Sequence, residues 1–255
     1  FPRCYPAEIS TRKLFMSLIV LAAGGTGGHV FPAMALAREL SARGHDLRLL
    51  TDARGLKYAT EFDPDGIEVI AAGGLVSGAL HKRAGGLLRL ARGYFQARGH
   101  LARWKPNAVV GFGGFPSAPP MLAAQHMRIP TLMHEQNGVM GRANEFVSRG
   151  AEQISAAFPS VEGVPAAAHT KLRVVGNPIR ADIAAVGEAP FPAVESNINV
   201  VVFGGSQGAA VFSRLIPDAL ALLSQDQRQR IDLISQIRDE NRNDAEPKLR
   251  ALGLG

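Results

Sequence analysis

The N-terminal part of the chain contains a short apolar run, a cluster of glycines and a helical pattern in immediate succession. The apolar run spans Leu18 to Leu21, and glycines follow at positions 24, 25, 27 and 28. Apolar residues then recur at helical spacing from Phe31 to Leu40, and Gly44 ends the pattern. A buried strand, a glycine turn and a helix in this order direct unpaired N–H groups at a ligand above a sheet. The unit therefore predicts a parallel α/β fold with a candidate site for negative charge.

A second unit of the same kind begins near residue 200. The apolar run Val200 to Phe203 leads into glycines at 204, 205 and 208 and then into another helical pattern. Between the two units, short apolar runs alternate with helical segments, which is typical of a parallel sheet with crossover helices. A length of 255 residues is enough for two domains. We therefore expect an α/β protein of two doubly wound, Rossmann-like domains.

Prolines mark the expected domain boundary, since they recur between residues 158 and 197 and interrupt the pattern. We expect an N-terminal domain at 16–175, followed at 176–255 by a linker and an incomplete second domain. The second domain is expected to be incomplete because a doubly wound domain needs more strand–helix units than this segment holds. Residues 1–15 have no core pattern, and we expect them to be a disordered or upstream extension with Met16 as the natural start.

The first glycine turn matches neither of the two common phosphate-binding motifs. Val30 stands where G-x-G-x-x-G requires a small residue, and no Lys-Ser or Lys-Thr pair follows the glycines as in a P-loop. The residues alone leave a ligand loop and a tight structural turn both open. His29, in the first turn of the helix, is a residue type that exchanges protons near neutral pH. It is therefore a candidate general base, with capping or packing as the alternative.

The remaining chemistry-bearing residues do not form a metal site. His134-Glu135 begins the zinc motif H-E-x-x-H, but the second histidine would fall at Gly138, so we predict no protein-held metal. Cys4 is the single cysteine, which excludes a disulfide framework and fits a reducing cytoplasm.

Two further turns follow apolar runs: glycines 113 and 114, and Asn137-Gly138. We expect them at the same sheet edge as the first glycine turn.

Basic residues are concentrated in the middle of the chain. No acidic residue lies between Glu68 and Glu135, a window that contains Lys82, Arg83, Arg89, Arg92, Arg98, Arg103, Lys105 and Arg128. A helix predicted from Leu87 to Trp104 has an apolar stripe at Leu87, Leu90, Tyr94, Ala97, Leu101 and Trp104. Its arginines form either a solvated face or, with the leucines of the preceding loop, a membrane-docking surface. We expect no nucleic-acid partner, because no nucleic-acid-binding signature accompanies the basic residues.

Five motifs, in one order, resemble those of glycosyltransferase family 28, the bacterial transferases that add N-acetylglucosamine (GlcNAc) during peptidoglycan synthesis. They are GGTGGHVFPAMALA (24–37), GFGGFPSAPP (111–120), HEQNGVMGRAN (134–144), VGNPIR (175–180) and FGGSQGA (203–209). The resemblance implies a GT-B fold and an inverting transfer of GlcNAc from UDP-GlcNAc to the MurNAc 4-hydroxyl of undecaprenyl-linked lipid I, giving lipid II. It also implies a peripheral location on the cytoplasmic face of the inner membrane, which favours an anionic membrane surface as the partner of the basic helix.

The resemblance also assigns roles to individual residues. His29 is implied as the general base, and UDP-GlcNAc is the implied donor, with no tightly bound cofactor. The implied substrate-binding residues are Thr26, Gly27, Gly28, Asn137, Arg180 and Ser206, with Glu135, Asn144, Gly205 and Gln207 as secondary candidates. The candidate membrane-facing residues come from the basic, apolar stretch that the resemblance favours as a membrane surface; they are Leu75, Val76, Leu80, Lys82, Arg83, Arg89 and Arg92.

The family's C-terminal portion supplies further donor contacts that this sequence does not include, so we expect the chain by itself to be an inactive fragment. Two other functions stay open on the sequence. One is a UDP-GlcNAc 2-epimerase of the same GT-B fold, which would not need the basic, apolar stretch at 75–105. The other is a non-catalytic membrane-binding module.

Overall fold

A parallel sheet forms the centre of the first part of the chain. The computed structural model describes residues 16–73, 80–187, 189–190, 197–204 and 210–254. Seven strands among these residues make one sheet in the order β3-β2-β1-β4-β5-β6-β7, and every pair is parallel. Their bounds are Leu18–Ala22 (β1), Asp46–Thr51 (β2), Ile67–Val69 (β3), Ala108–Gly111 (β4), Thr131–Glu135 (β5), Gln153–Ala156 (β6) and Leu172–Val174 (β7).

Helices cover both faces of this sheet. Because side chains alternate along a strand, Val20 and Leu21 of β1 belong to different core clusters. The cluster of Leu21 includes residues of helix α1, and the cluster of Val20 includes residues of α2, α3 and α4. The helix bounds are Gly27–Ala42 (α1), Leu80–Trp104 (α2), Ala118–His126 (α3), Arg142–Ser148 (α4) and Ala181–Val186 (α5), with 3-10 turns at Leu56–Tyr58, Pro64–Gly66 and Ala166–Lys171. The predicted doubly wound α/β architecture is confirmed for this unit.

A second compact unit begins at Gly187. The boundary expected from the sequence, after residue 175, lies earlier in the chain. The two described strands of this unit, Ile198–Val202 (β8) and Ile231–Ser235 (β9), pair in parallel, as the repeated strand–helix pattern predicts. The helices Ala210–Ala221 (α6), Gln225–Gln229 (α7) and Asp239–Ala251 (α8) accompany them. Leu220, Leu249 and Leu254 form the buried core of this unit.

Helix α2 differs from its sequence-based description in length and in its buried face. It begins at Leu80 rather than Leu87, and the side chain of Leu87 is 63% exposed instead of lying on the core stripe. Among the described side chains of α2, the buried positions are Gly86, Gly93, Ala97 and Leu101. Ala97 and Leu101 lie on the predicted stripe, whereas an apolar pattern counts leucines and not glycines and so misses Gly86 and Gly93 on the same face. At Gly93 a methyl group would lie only 2.0 Å from the carbonyl oxygen of Ala71.

We predict opposite effects for two glycine-to-alanine changes in α2. Gly93→Ala should lower the free energy of unfolding by about 1–3 kcal/mol, because the added methyl group must displace backbone. Gly99 is exposed, with nothing within 4 Å of an added methyl group. Gly99→Ala should therefore raise stability by about 0.5–1 kcal/mol through helix propensity. Urea unfolding of both variants measures the difference, and equal stabilities would contradict the close packing at Gly93.

Candidate active site

The candidate site lies where the strand order of the sheet reverses. Strand β1 is flanked by β2 on one side and β4 on the other, so the chain after β1 and the chain after β4 build outward in opposite directions. Ala22 at the end of β1 pairs with Gly111 at the end of β4. In open α/β sheets a crevice forms at the carboxyl ends of such neighbouring strands, and ligands bind there. The glycine turns at 24–28 and 113–114 both lie at this point.

His29 reaches across the switch point from α1 to the chain that leaves β4. Its Nδ1 lies 3.0 Å from the carbonyl oxygen of Phe112. A carbonyl oxygen only accepts hydrogen bonds, so Nδ1 carries the proton, and the neutral imidazole has its lone pair on Nε2. Gly114 has a φ of +72° and lies against the other edge of the ring, where a methyl group would be 3.4 Å from Nε2. His29 is thereby held in the tautomer that a general base at Nε2 requires.

The same carbonyl of Phe112 also binds the loop after β5. The side-chain amide of Gln136 donates to it from Nε2 at 2.8 Å. One backbone oxygen therefore connects α1, β4 and the β5 loop. Gln136 is not among the residues predicted from the sequence, although its place directly after a strand, within the motif HEQNG, is a usable signal.

The glycine turn before α1 leaves the start of this helix open. Thr26 is the N-cap residue, but its side chain makes no capping hydrogen bond, and the first turn has no acidic residue. Gly27 allows the ring of Phe31 to pack over the turn, since a methyl group at Gly27 would lie 2.6 Å from Phe31 Cε2. Thr26 and Gly28 are exposed. The exposed turn offers N–H groups of the helix start to an anionic group.

A buried carboxylate organises the end of β5. Glu135 is 1% exposed, and its two oxygens accept four hydrogen bonds. Oε1 binds the backbone N–H of Asn137 at 3.0 Å and its Nδ2 at 2.9 Å, while Oε2 binds the N–H of Gly141 at 3.1 Å and Nδ2 of Asn144 at 2.8 Å. Four donors satisfy the charge of a carboxylate that is out of contact with water.

This network fixes Asn137, which is exposed at the sheet edge. One of the two Nδ2 hydrogens of Asn137 is used by Glu135, so its side chain can still offer a ligand the acceptor Oδ1 and the second N–H. Asn144 is 2% exposed and contacts Glu135 from below. Among the three candidates at this edge, Asn137 is thus the exposed one, and the buried Glu135 and Asn144 hold it in place.

His134 connects β5 to the segment that carries Arg180. The side chain is 2% exposed, with Nδ1 2.9 Å from Ser155 Oγ and Nε2 3.2 Å from Asn177 Oδ1. Burial lowers the pKa of His134, although the hydrogen bond to Asn177 and the nearby charge of Glu135 act in the opposite direction. The sequence pattern brought His134 forward only as a possible metal ligand and gave no signal for this structural contact.

Arg180 lies beside the first turns of α1. Its guanidinium carbon is 5.6 Å from the centre of the Phe31 ring, and its Nε is 3.4 Å from Asp182 Oδ1. Among the predicted site residues, the structure thus gathers the 26–29 turn, Asn137 and Arg180 in the first unit. Gly205, Ser206 and Gln207 lie outside the described residues.

Helix α2 presents apolar and basic side chains to solvent. Leu87, Leu88 and Phe95 are 63%, 71% and 68% exposed, and Arg89 and Arg92 are exposed beside them. Leu80, Lys82 and Arg83 lie in the first turn of this helix, whereas Leu75 and Val76 lie outside the described residues. In the described part of the chain, no helix is both long and apolar enough to cross a membrane. Nor do the described residues contain a group of three His, Cys, Asp or Glu side chains placed to hold a metal ion.

We predict that His134 makes stability depend on pH. Its pKa in the folded protein is below its ordinary value of 6.5, so the unfolded chain binds more protons as the pH falls below that value. The free energy of unfolding should therefore fall between about pH 7 and about pH 5, and it should fall less in His134→Gln. His126→Gln, which removes an exposed imidazole, is the matched control. Equal pH slopes for the wild type and His134→Gln would contradict the prediction.

Known proteins resemble this chain in sequence and in fold. A relative from Methylorubrum populi, named as a UDP-N-acetylglucosamine–N-acetylmuramyl-(pentapeptide) pyrophosphoryl-undecaprenol N-acetylglucosamine transferase, is 47% identical over 244 residues. That match covers 95% of this chain and 66% of the relative, so the chain spans just under two thirds of that protein's length.

Among solved structures, Acinetobacter baumannii MurG matches with a TM-score of 0.65 and 26% identity, over 92% of this chain and 62% of that one. A UDP-GlcNAc 2-epimerase from Neisseria meningitidis, solved with UDP-GlcNAc bound, matches with a TM-score of 0.56 and 14% identity, over 94% of this chain and 69% of that one. The second likeness concerns the fold alone. The predicted GT-B fold class is confirmed by these structures.

The family model of the glycosyltransferase family 28 N-terminal domain matches residues 19–156, which include β1 to β6 and the His29, Asn137 and Glu135 positions. This match covers more than half of the chain, and the relatives agree with it. The chain therefore belongs to glycosyltransferase family 28.

Proposed function

We propose that the protein transfers GlcNAc from UDP-GlcNAc to the MurNAc 4-hydroxyl of lipid I, giving lipid II, on the cytoplasmic face of the inner membrane. The observation that carries the proposal is the tautomer of His29 at the sheet's switch point, with Nδ1 bound to the Phe112 carbonyl and the lone pair on Nε2. The name of the Methylorubrum populi relative, which states this donor sugar and this acceptor, supports it.

In this reaction His29 acts as the general base. Nε2 takes the proton of the acceptor hydroxyl as its oxygen forms the bond to C1 of GlcNAc. The bond from C1 to the diphosphate oxygen breaks on the opposite side of the sugar, so UDP leaves and the configuration at C1 inverts. A positioned base of this kind contributes typically 10²- to 10⁴-fold to the rate.

Other groups at the switch point bind the donor and stabilise the charge that UDP gains. The side chain of Asn137 hydrogen-bonds the donor sugar, and Arg180 binds the nucleotide. Arg180 is half exposed and held next to Phe31, so its guanidinium donors can reach an anionic ligand. Such electrostatic stabilisation needs no tightly bound cofactor.

We predict that His29→Ala lowers kcat by about 10²- to 10⁴-fold while the KM for UDP-GlcNAc changes by less than about threefold. The reason is that the lost group acts on the acceptor proton and not on the nucleotide. The rate is measured as GlcNAc transferred to a lipid I analogue, with the longest gene product that contains this chain. His126→Ala, which removes an exposed histidine from α3, is the control.

An unchanged kcat in His29→Ala would contradict the base role. Conversion of UDP-GlcNAc to its C2 epimer without any acceptor would assign the epimerase function in place of the transferase function. Binding to lipid without either reaction would favour the non-catalytic membrane module.

The exposed face of α2 is proposed to dock on an anionic membrane. Leu87, Leu88 and Phe95 supply apolar area, and Arg89 and Arg92 lie among them. Each Lys or Arg held near an anionic leaflet contributes about 1 kcal/mol, so a few of them suffice for reversible attachment. The absence of acidic residues from 69 to 134 removes the like-charge repulsion that would oppose docking.

We predict that vesicles containing anionic lipid sediment this protein and that neutral vesicles sediment much less of it. Arg89→Glu with Arg92→Glu should abolish the difference, and Leu88→Ser with Phe95→Ser should weaken binding to both kinds of vesicle. The control, Arg38→Glu with Arg43→Glu, makes the same change in charge at the exposed C-terminal end of α1 and its C-cap. Binding that depends neither on lipid charge nor on the substitutions in α2 would contradict the proposal.

A further inference from the structure

Asp52 is a buried carboxylate next to the first glycine turn that none of the roles above uses. It directly follows β2, which pairs with β1, so it lies at the same edge of the sheet as residues 24–28. The residue is only 5% exposed. An acidic side chain at such a position requires hydrogen-bond donors around it.

Those donors come from two loops. Oδ1 of Asp52 accepts the backbone N–H of Gly25 at 2.8 Å and that of Gly55 at 3.0 Å. Oδ2 accepts Nε of Arg54 at 2.9 Å, and the side chain of Arg54 is mostly exposed. The carboxylate thus bridges the β2 loop to the glycine turn that leads into α1.

The contact is close enough to dictate the residue at position 24. A methyl group at Gly24 would lie 2.7 Å from Asp52 Oδ1 and 2.8 Å from Cβ of Pro116. Only glycine allows the carboxylate and the β4 loop to close on the turn from both sides. This explains the glycine through a protein contact and not through a ligand.

The position of Gly25 also fixes the position of His29, which lies within one turn of helix. Gly25 has a φ of +82°, and the N–H of Thr26 donates to the carbonyl of Gly24 at 3.1 Å, which closes the turn. The N–H of His29 then donates to the carbonyl of Thr26 at 3.2 Å. The anchored amide of Gly25 therefore sets the direction in which the first turn of α1 leaves, and with it the reach of His29 to Phe112.

We propose that Asp52 is the positioning residue for His29. Its carboxylate fixes the glycine turn so that Nδ1 of His29 stays on the Phe112 carbonyl and Nε2 faces the acceptor. The catalytic consequence rests on the proposed transferase function, but the positioning itself does not. Arg54 binds Oδ2, whereas the N–H of Gly25 binds Oδ1. Arg54 therefore contributes less than Asp52 to the position of the glycine turn.

The test follows the tautomer of His29 by ¹⁵N NMR of the histidine-labelled chain and the hydrogen exchange of the Gly25 amide. In the wild type, His29 should carry its proton on Nδ1. In Asp52→Ala the Nε2-protonated form should appear, and exchange at Gly25 should accelerate by about tenfold or more. Asp52→Asn keeps an oxygen for Gly25 and Gly55 and should restore both signals to near the wild type.

Two further variants separate positioning from general stabilisation. Arg54→Ala, which leaves Oδ1 and its two N–H donors in place, should keep the Nδ1 tautomer. Glu39→Gln, which removes the ion pair with Arg43 at the far end of α1, should change nothing at His29. If Asp52→Ala does not fold, Asp52→Ser removes the same acceptor with a smaller loss of volume and decides the question.

In the transfer assay Asp52→Ala should lower kcat by about 10- to 100-fold with little change in the KM for UDP-GlcNAc, as expected when a catalytic group is displaced. A folded Asp52→Ala or Asp52→Ser variant with an unchanged His29 tautomer would overturn the proposal. If the tautomer shifts but the wild type transfers no sugar, the positioning role stands and the proposed function fails.

Discussion

The parallel pairing of β1 with β4 is the constraint on which the rest of the site depends. Because Ala22 is paired with Gly111, the turns that follow these strands start from the same height on the sheet and must pass one another. Glycines at 24 and 114 let them do so, since side chains there would meet Pro116 and His29. The crevice that belongs to this strand order is thus lined by backbone, and an imidazole can cross it.

A single carbonyl group then links the elements around the crevice. The Phe112 oxygen takes Nδ1 of His29 from α1 and Nε2 of Gln136 from the β5 loop. On the other side of β5, the carboxylate of Glu135 gathers Asn137 and Asn144. The residues that would contact a substrate are therefore oriented by the Phe112 carbonyl and the Glu135 carboxylate, which would not contact it themselves.

Local sequence was sufficient to predict the strands, the glycine turns and the place of His29 and Asn137 at the ends of strands. It was not sufficient to predict their partners, because the bond from His29 to Phe112 joins residues 83 positions apart. Leu87 was wrongly assigned to the core, since α2 buries the face with Gly93, which packs closely on the Ala71 carbonyl, and leaves Leu87 exposed. Asp52 gave no local signal, because its role exists only once β1 and β2 are side by side.

The central claim is that a sugar hydroxyl loses its proton to His29 at this switch point. A structure of the protein with UDP and an acceptor analogue that retains the reacting 4-hydroxyl tests it most directly. We expect that hydroxyl to lie within about 2.6–3.2 Å of His29 Nε2, with Nδ1 still on the Phe112 carbonyl. An acceptor hydroxyl seated elsewhere, with a different side chain within hydrogen-bond reach of it, would contradict the claim.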